Sequence, residues 1–204
     1  MTKINYLKDI SETKKPFIIY KSLKGFDLYT DFSKKIILTN GNIKNFINKT
    51  NKNRLTNKDT DLFLGFFGYE ILNNLIGVKL KKQKSLKFPK GIFYKPETKI
   101  KLLNKLNYTP LRSIKSKKVF KVNLSKNSYE SIFNKFKKRI KSGETYQIKI
   151  CTKYKNQSKI DPLDFFCRLT KTNMAPEAFM IKDRNYSIIS CSPENLITKK
   201  KDFI

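Results

Sequence analysis

The chain has 204 residues, a mass of 24.0 kDa and a formal net charge of +29. Hydrophobic residues make up 39% of it, with 16 Phe and 10 Tyr but no Trp, a composition that excludes a disordered or low-complexity class and suits strands packed on aromatic side chains. Histidine is absent, which excludes imidazole-ligated zinc and any Ser-His or Cys-His dyad.

The basic excess by itself points to a polyanionic partner, since clustered cations release counterions from phosphates. Only five of the 45 basic residues are arginine, however, and the lysines are scattered from Lys3 to Lys201. Bidentate phosphate and base recognition favours the guanidinium fork, whereas dispersed lysines mainly confer solubility. A nucleic-acid partner is therefore not the first expectation, and a basic, non-enzymatic module that binds single strands through its cations and its Phe and Tyr rings is the alternative of another class. Cys151, Cys167 and Cys191 form no Cys-x-x-Cys pair and are odd in number, as in reduced, cytoplasmic chains. Met1 to Lys15 lacks an apolar signal region, and no run approaches the roughly 18 apolar residues of a membrane span, so no membrane association is expected.

In chain order, Phe17–Tyr20, Phe26–Tyr29 and Lys35–Leu38 read as three extended pieces of a hairpin or meander. Residues 41–50 suit a short helix, and Asn51 to Thr60 a polar loop. Leu62 to Gly68 is an apolar strand entering a glycine turn, followed by a helix over Ile71–Ile76. From Gly91 to Val122 the pattern predicts short strands broken at Pro96 and Pro110, with a flexible loop near Ser113–Lys118.

The strongest helical periodicity runs from Ser128 to Lys141, with Tyr129, Ile132, Phe133, Phe136 and Ile140 on one face. Asn127 and Glu130 make a capping pair, and Gly143 occupies the left-handed C-terminal position. Thr145 to Tyr154 alternates as a half-buried strand, with Tyr146, Ile148, Ile150, Thr152 and Tyr154 on one side. Asp161-Pro162 opens another helix with Leu163, Phe166 and Leu169 inward. Phe179–Ile181 and Tyr186–Cys191 are strands joined by a turn at Lys182–Asn185, and a further strand-like run reaches Ile204.

Four segments in one order resemble the chorismate-binding enzymes, the family of anthranilate, aminodeoxychorismate and isochorismate synthases. Ile140-Lys-Ser-Gly-Glu-Thr-Tyr-Gln-Ile148 is similar to the family's helix-to-strand signature, and Ser190-Cys-Ser-Pro-Glu-Asn-Leu196 to its Ser-x-Ser-Pro-Glu segment. Phe66-Phe67-Gly68-Tyr69-Glu70 and Asn173-Met-Ala-Pro176-Glu-Ala-Phe179 resemble two further family stretches. Each match is weak alone; their shared order over residues 66–196 gives the resemblance its force.

The resemblance implies an α+β fold, with antiparallel sheets in a sandwich and helices outside. It divides the chain into an N-terminal subdomain, 1–120, and the start of a chorismate-binding catalytic domain, 121–204, and makes the chain a partial copy of a longer enzyme. The implied activity is amination of chorismate with ammonia from a glutamine amidotransferase partner. The expected product is that of the large component of aminodeoxychorismate synthase, on the route to p-aminobenzoate and folate, with anthranilate formation as the alternative. Glu194 matches the Ser-Pro-Glu acid, which in aminodeoxychorismate synthases is thought to donate a proton to the departing hydroxyl; hydroxide leaves poorly unless protonated. Acidic Mg²⁺ ligands are implied in segments that this chain does not contain, so no metal ligand is expected within it and no turnover from it alone. An effector pocket for tryptophan would correspond by position to Ser22, Phe32, Ser33, Pro176, Glu177 and Ala178. Glu177 departs from the family's aromatic residue there, and an unpartnered acid against an indole would be costly.

Overall fold

A computed structural model describes residues 3–52, 58–78, 88–102, 106, 108 and 119–192. The chain divides into two compact units, Met1–Pro110 with Pro162–Ile204, and Leu111–Asp161.

In the first unit, β1 (Phe17–Ser22), β2 (Gly25–Ile37), β3 (Leu64–Phe67), β4 (Gly91–Lys101), β5 (Glu177–Lys182) and β6 (Ser187–Ser192) form one six-stranded sheet. Its order is β3-β4-β2-β1-β5-β6, and every neighbouring pair is antiparallel. Helices α1 (Lys3–Glu12), α2 (Ile43–Lys52), α3 (Tyr69–Leu75) and α4 (Pro162–Thr172) complete it. The architecture is α+β with an antiparallel sheet, as expected.

Alternation sorts the strand residues onto two faces. Phe17 and Ile19 of β1, Phe26 and Leu28 of β2, and Ala178 and Met180 of β5 form one core cluster with Leu7 of α1 and with Leu163, Phe166 and Cys167 of α4. The intervening Ile18, Tyr29 and Ile181 join Ile92 and Tyr94 on the other face. Phe93 meets Leu38, Ile43, Phe46 and Ile71 in a third cluster, which seats α2 and α3. Because β5 pairs with β1 from Phe17↔Lys182 to Lys21↔Ala178, this sheet crosses the 120/121 division drawn from sequence.

Local expectations differ from the structure in several places. The N-terminal residues read only as lacking a signal region form helix α1. The pieces Phe26–Tyr29 and Lys35–Ile37 are one strand, β2, interrupted by a bulge between Phe32 and Lys34. Asp31 just before it has φ 52, a left-handed conformation that asparagine and aspartate tolerate better than most residues. Pro96 does not break β4; it lies opposite Phe32 at the bulge, where the regular ladder is already disrupted and a missing N–H costs least. Ser113–Lys118, Pro110 and the run to Ile204 lie outside the described residues.

The second unit contains α5 (Lys126–Lys141) and a two-residue ladder between β7 (Lys121–Val122) and β8 (Tyr154–Lys155). Ser125, rather than Asn127, caps α5, its hydroxyl accepting from the Ser128 N–H. Gly143 follows with φ 77, as the sequence requires. The predicted strand over 145–154 is not formed before Tyr154: among the described residues the stretch finds no partner strand, and an isolated strand has no ladder to satisfy its backbone.

Candidate functional site

The hairpin of β5 and β6 carries the segment that precedes Glu194. Its two strands pair continuously from Glu177↔Ser192 to Lys182↔Ser187, and the Asp183 N–H donates to the Tyr186 carbonyl at 2.9 Å to close the turn. Glu194 itself, with Pro193, lies outside the described residues; β6 ends at Ser192, two positions earlier in sequence.

The turn is fixed by a polar network at Asp183, which is only 4% exposed. Lys35 Nζ and Tyr94 Oη donate to its Oδ2 at 2.6 and 2.7 Å, and the Arg184 N–H donates to Oδ1 at 2.7 Å. The Asp183 turn is thus tied to β2 and β4. Burial pushes the Asp183 pKa up, but the hydrogen bonds from Lys35, Tyr94 and the Arg184 backbone outweigh it and hold the carboxyl at about 2. Burial first, and then the bond to Asp183, raise the Tyr94 phenol well above its ordinary value. Tyr186 Oη is buried beside this network without meeting hydrogen-bond geometry to it.

This network fixes a pH dependence. A carboxyl whose folded pKa lies below its unfolded value of 3.8 stabilises the fold fully above pH ~4, and the contribution is lost as pH falls towards about 2. The loss across that window is about 2 kcal/mol. Urea unfolding at pH 6, 4 and 2.5 is expected to show this fall in the parent chain and not in Asp183→Asn, which starts from lower stability. Equal acid slopes in the two proteins would contradict the assignment.

The six residues matched by position to an effector pocket are not brought together. The register Lys21↔Ala178 puts Ser22 beside Glu177 one position on, with Pro176 next in the chain, so these four lie at one end of the β1–β5 pair. Phe32 and Ser33 do not. Ser22 faces Gly25, and Phe32 is seven residues further along β2, roughly 20 Å away at strand rise. Phe32 stacks obliquely on Tyr94 at 4.9 Å, and Ser33 Oγ donates to the Lys95 carbonyl at 3.3 Å. Ala178 is buried in the α4-side core, on the opposite sheet face from Phe179.

At the Ser22 end, Glu177 is not the unpartnered acid that the sequence suggested. Burial and then a hydrogen bond to Glu177 push the Tyr20 phenol up to about 12, so the hydroxyl stays a donor to that carboxylate. Lys21 Nζ donates to the Ala175 carbonyl at 2.8 Å and holds the entry to β5. The Ser22 hydroxyl accepts from the Lys24 N–H at 3.1 Å within the β1–β2 turn.

The residues that sequence reasoning missed are Lys35, Tyr94 and Asp183. Asp183 was visible only as a turn residue, and its partners are 148 and 89 residues away in sequence. Cys151, Cys167 and Cys191 are respectively exposed, buried and half-buried. Among the described residues no group of three or more His, Cys, Asp or Glu side chains could hold a metal ion. No helix among the described residues is long and apolar enough to cross a membrane.

Comparison with known proteins gives a family match that covers nearly the whole chain. The family model described as "chorismate binding enzyme" matches residues 6–204. Anthranilate synthase component 1 of Buchnera aphidicola subsp. Diuraphis noxia is 26% identical over 227 aligned residues, covering 94% of this chain and 40% of that protein. The protein of the same name from Buchnera aphidicola subsp. Rhopalosiphum padi is 27% identical, with 94% of this chain and 40% of the relative covered. That from Buchnera aphidicola subsp. Rhopalosiphum maidis is 32% identical over 48% of this chain and 20% of its own length. The chain thus spans about 40% of the length of these two Buchnera aphidicola relatives, subsp. Diuraphis noxia and subsp. Rhopalosiphum padi.

Proposed function

The chain belongs to the chorismate-binding enzyme family, and from that premise we propose that it forms part of the large component of a chorismate-aminating synthase, acting with ammonia from a glutamine amidotransferase. The observation that carries this reading is the match from residue 6 to residue 204, which takes in all four motif segments in order. In this reading Glu194 is the general acid. Its proton goes to the chorismate hydroxyl as the carbon–oxygen bond breaks, so that water and not hydroxide departs. The anchored hairpin of β5 and β6 leads the chain towards that acid. Mg²⁺ would be held by residues outside those described.

Two products fit, and a separate observation favours each. Glu177, where the family resemblance places an aromatic residue of a tryptophan pocket, supports 4-amino-4-deoxychorismate and hence p-aminobenzoate and folate synthesis. The name anthranilate synthase component 1, carried by the relatives above, supports anthranilate and tryptophan synthesis. The test uses the complete coding unit with chorismate, Mg²⁺ and ammonium, and chromatography to identify the product. Amination is expected, with loss of at least 100-fold in Glu194→Gln. No aminated product from the complete unit, or undiminished turnover in the variant, would refute the reading. The 204-residue chain alone is expected to give no product.

A further inference from the structure

The hairpin of β5 and β6 is fastened at both ends, by different groups. At its turn, Asp183 is held by Lys35 and Tyr94. At its open end, where β5 begins and β6 stops, the fastening comes from two consecutive residues of β1, an internal strand of the sheet. Consecutive strand residues point to opposite faces. Lys21 lies on the face of Phe17 and Ile19, and its Nζ donates at 2.8 Å to the carbonyl of Ala175, on the segment that enters β5. Tyr20 lies on the face of Ile18 and Phe179, and its hydroxyl donates to the Glu177 carboxylate.

The register explains why Tyr20 reaches Glu177. Tyr20 is directly opposite Phe179, so Glu177, two residues back along β5, is its diagonal neighbour on the same face, within span of an aromatic side chain. With its pKa pushed up to about 12, the phenol keeps its proton through the neutral range and remains a donor. On its other side Glu177 pairs with Ser192, the last residue of β6. Glu194 follows Ser192 by two peptide units, which carry a chain no further than ~7 Å. The acid of the Ser-Pro-Glu segment is thus tethered, within two residues, to a strand position that β1 fixes.

A general acid works only when held to within about half an ångström of its target, and a misplacement of ~1 Å costs on the order of 100-fold in rate. Among the described strands β6 pairs with β5 alone, so where its end lies follows from where Glu177 is held. We propose that Tyr20 is a positioning residue for Glu194, acting through its hydrogen bond to Glu177 and the pairing of Glu177 with Ser192. Lys21 supports the same end of the hairpin from the opposite face of the sheet. The inference rests on the reading of Glu194 as the general acid and holds for either product.

Steady-state kinetics of the complete coding unit with chorismate, Mg²⁺ and ammonium test it, with rates expressed per folded enzyme. Tyr20→Phe and Glu177→Ala are each expected to lower kcat about 10-fold while KM for chorismate stays within about 2-fold. Glu177→Gln keeps an oxygen that accepts from the phenol, and its kcat should stay within about 2-fold of the parent. The deciding comparison is made in Glu194→Gln, where adding Tyr20→Phe should leave the residual rate unchanged, since nothing remains for it to position. A merely structural role would lower the rate by one factor in both backgrounds and would overturn the proposal. So would an unchanged kcat in Tyr20→Phe, or a Glu177→Gln as slow as Glu177→Ala. Those outcomes sink this inference alone, whereas undiminished turnover in Glu194→Gln sinks the general-acid reading and this inference with it.

Discussion

Phe166→Ala is expected to lower the stability of the first unit by about 3–5 kcal/mol, the usual cost of emptying a fully buried phenylalanine site. Phe166 has no exposed surface, and its ring meets Phe26 edge-on at 6.3 Å between centroids. It lies among Phe17, Ile19, Leu28, Leu163 and Met180, so truncation leaves a cavity under strands β1, β2 and β5 that their backbones cannot collapse to fill. Total stabilities of ~5–15 kcal/mol make this a large fraction, visible as a lower urea midpoint with little change in slope. The neighbouring Phe165 is 43% exposed, and Phe165→Ala should stay within about 0.5 kcal/mol of the parent. Comparable losses in the two variants would show that α4 does not pack on the sheet by the Phe166 face.

Gly65→Ala is expected to cost about 3 kcal/mol or more, by a different route. A Cβ at position 65 would sit inside the van der Waals envelope of the Ile92 carbonyl oxygen and 2.7 Å from Phe93 Cα. These are backbone atoms of the paired strand β4, in register with Gly65↔Phe93, so no side chain can rotate out of the way. Either β3 leaves the sheet or β4 bends. Both outcomes disturb Phe93, Phe46 and Ile71, through which α2 and α3 are seated. The comparison is Gly41→Ala, where the nearest atom to an added Cβ is Thr39 Oγ1 at 3.9 Å, an ordinary contact. Thermal unfolding of the pair should separate them clearly; equal melting temperatures would mean that β3 does not approach β4 so closely.

The sequence by itself determined the family, the α+β class, the helices at Pro162 and Ser128, the β5–β6 hairpin and its turn. These follow from local chemistry: periodicity, a proline at the first helical position, and short polar connections act within a few residues. Glu194 remains a proposal that a motif suggests, since a motif needs only its own letters. Only the tertiary structure decided that Phe26–Tyr29 and Lys35–Ile37 are one bulged strand, that Pro96 is tolerated opposite the bulge, and that Phe32 and Ser33 lie far from Ser22. It alone joined Lys35, Tyr94 and Asp183, whose strands β2, β4 and β5 come from distant parts of the chain. Among the described residues it also left 145–152 without a ladder, although the alternation there is as regular as in true strands. Periodicity encodes which side of a segment is apolar. Pairing partner, register and cover depend on free energies realised only when remote segments meet, and those are not written in any one stretch of residues.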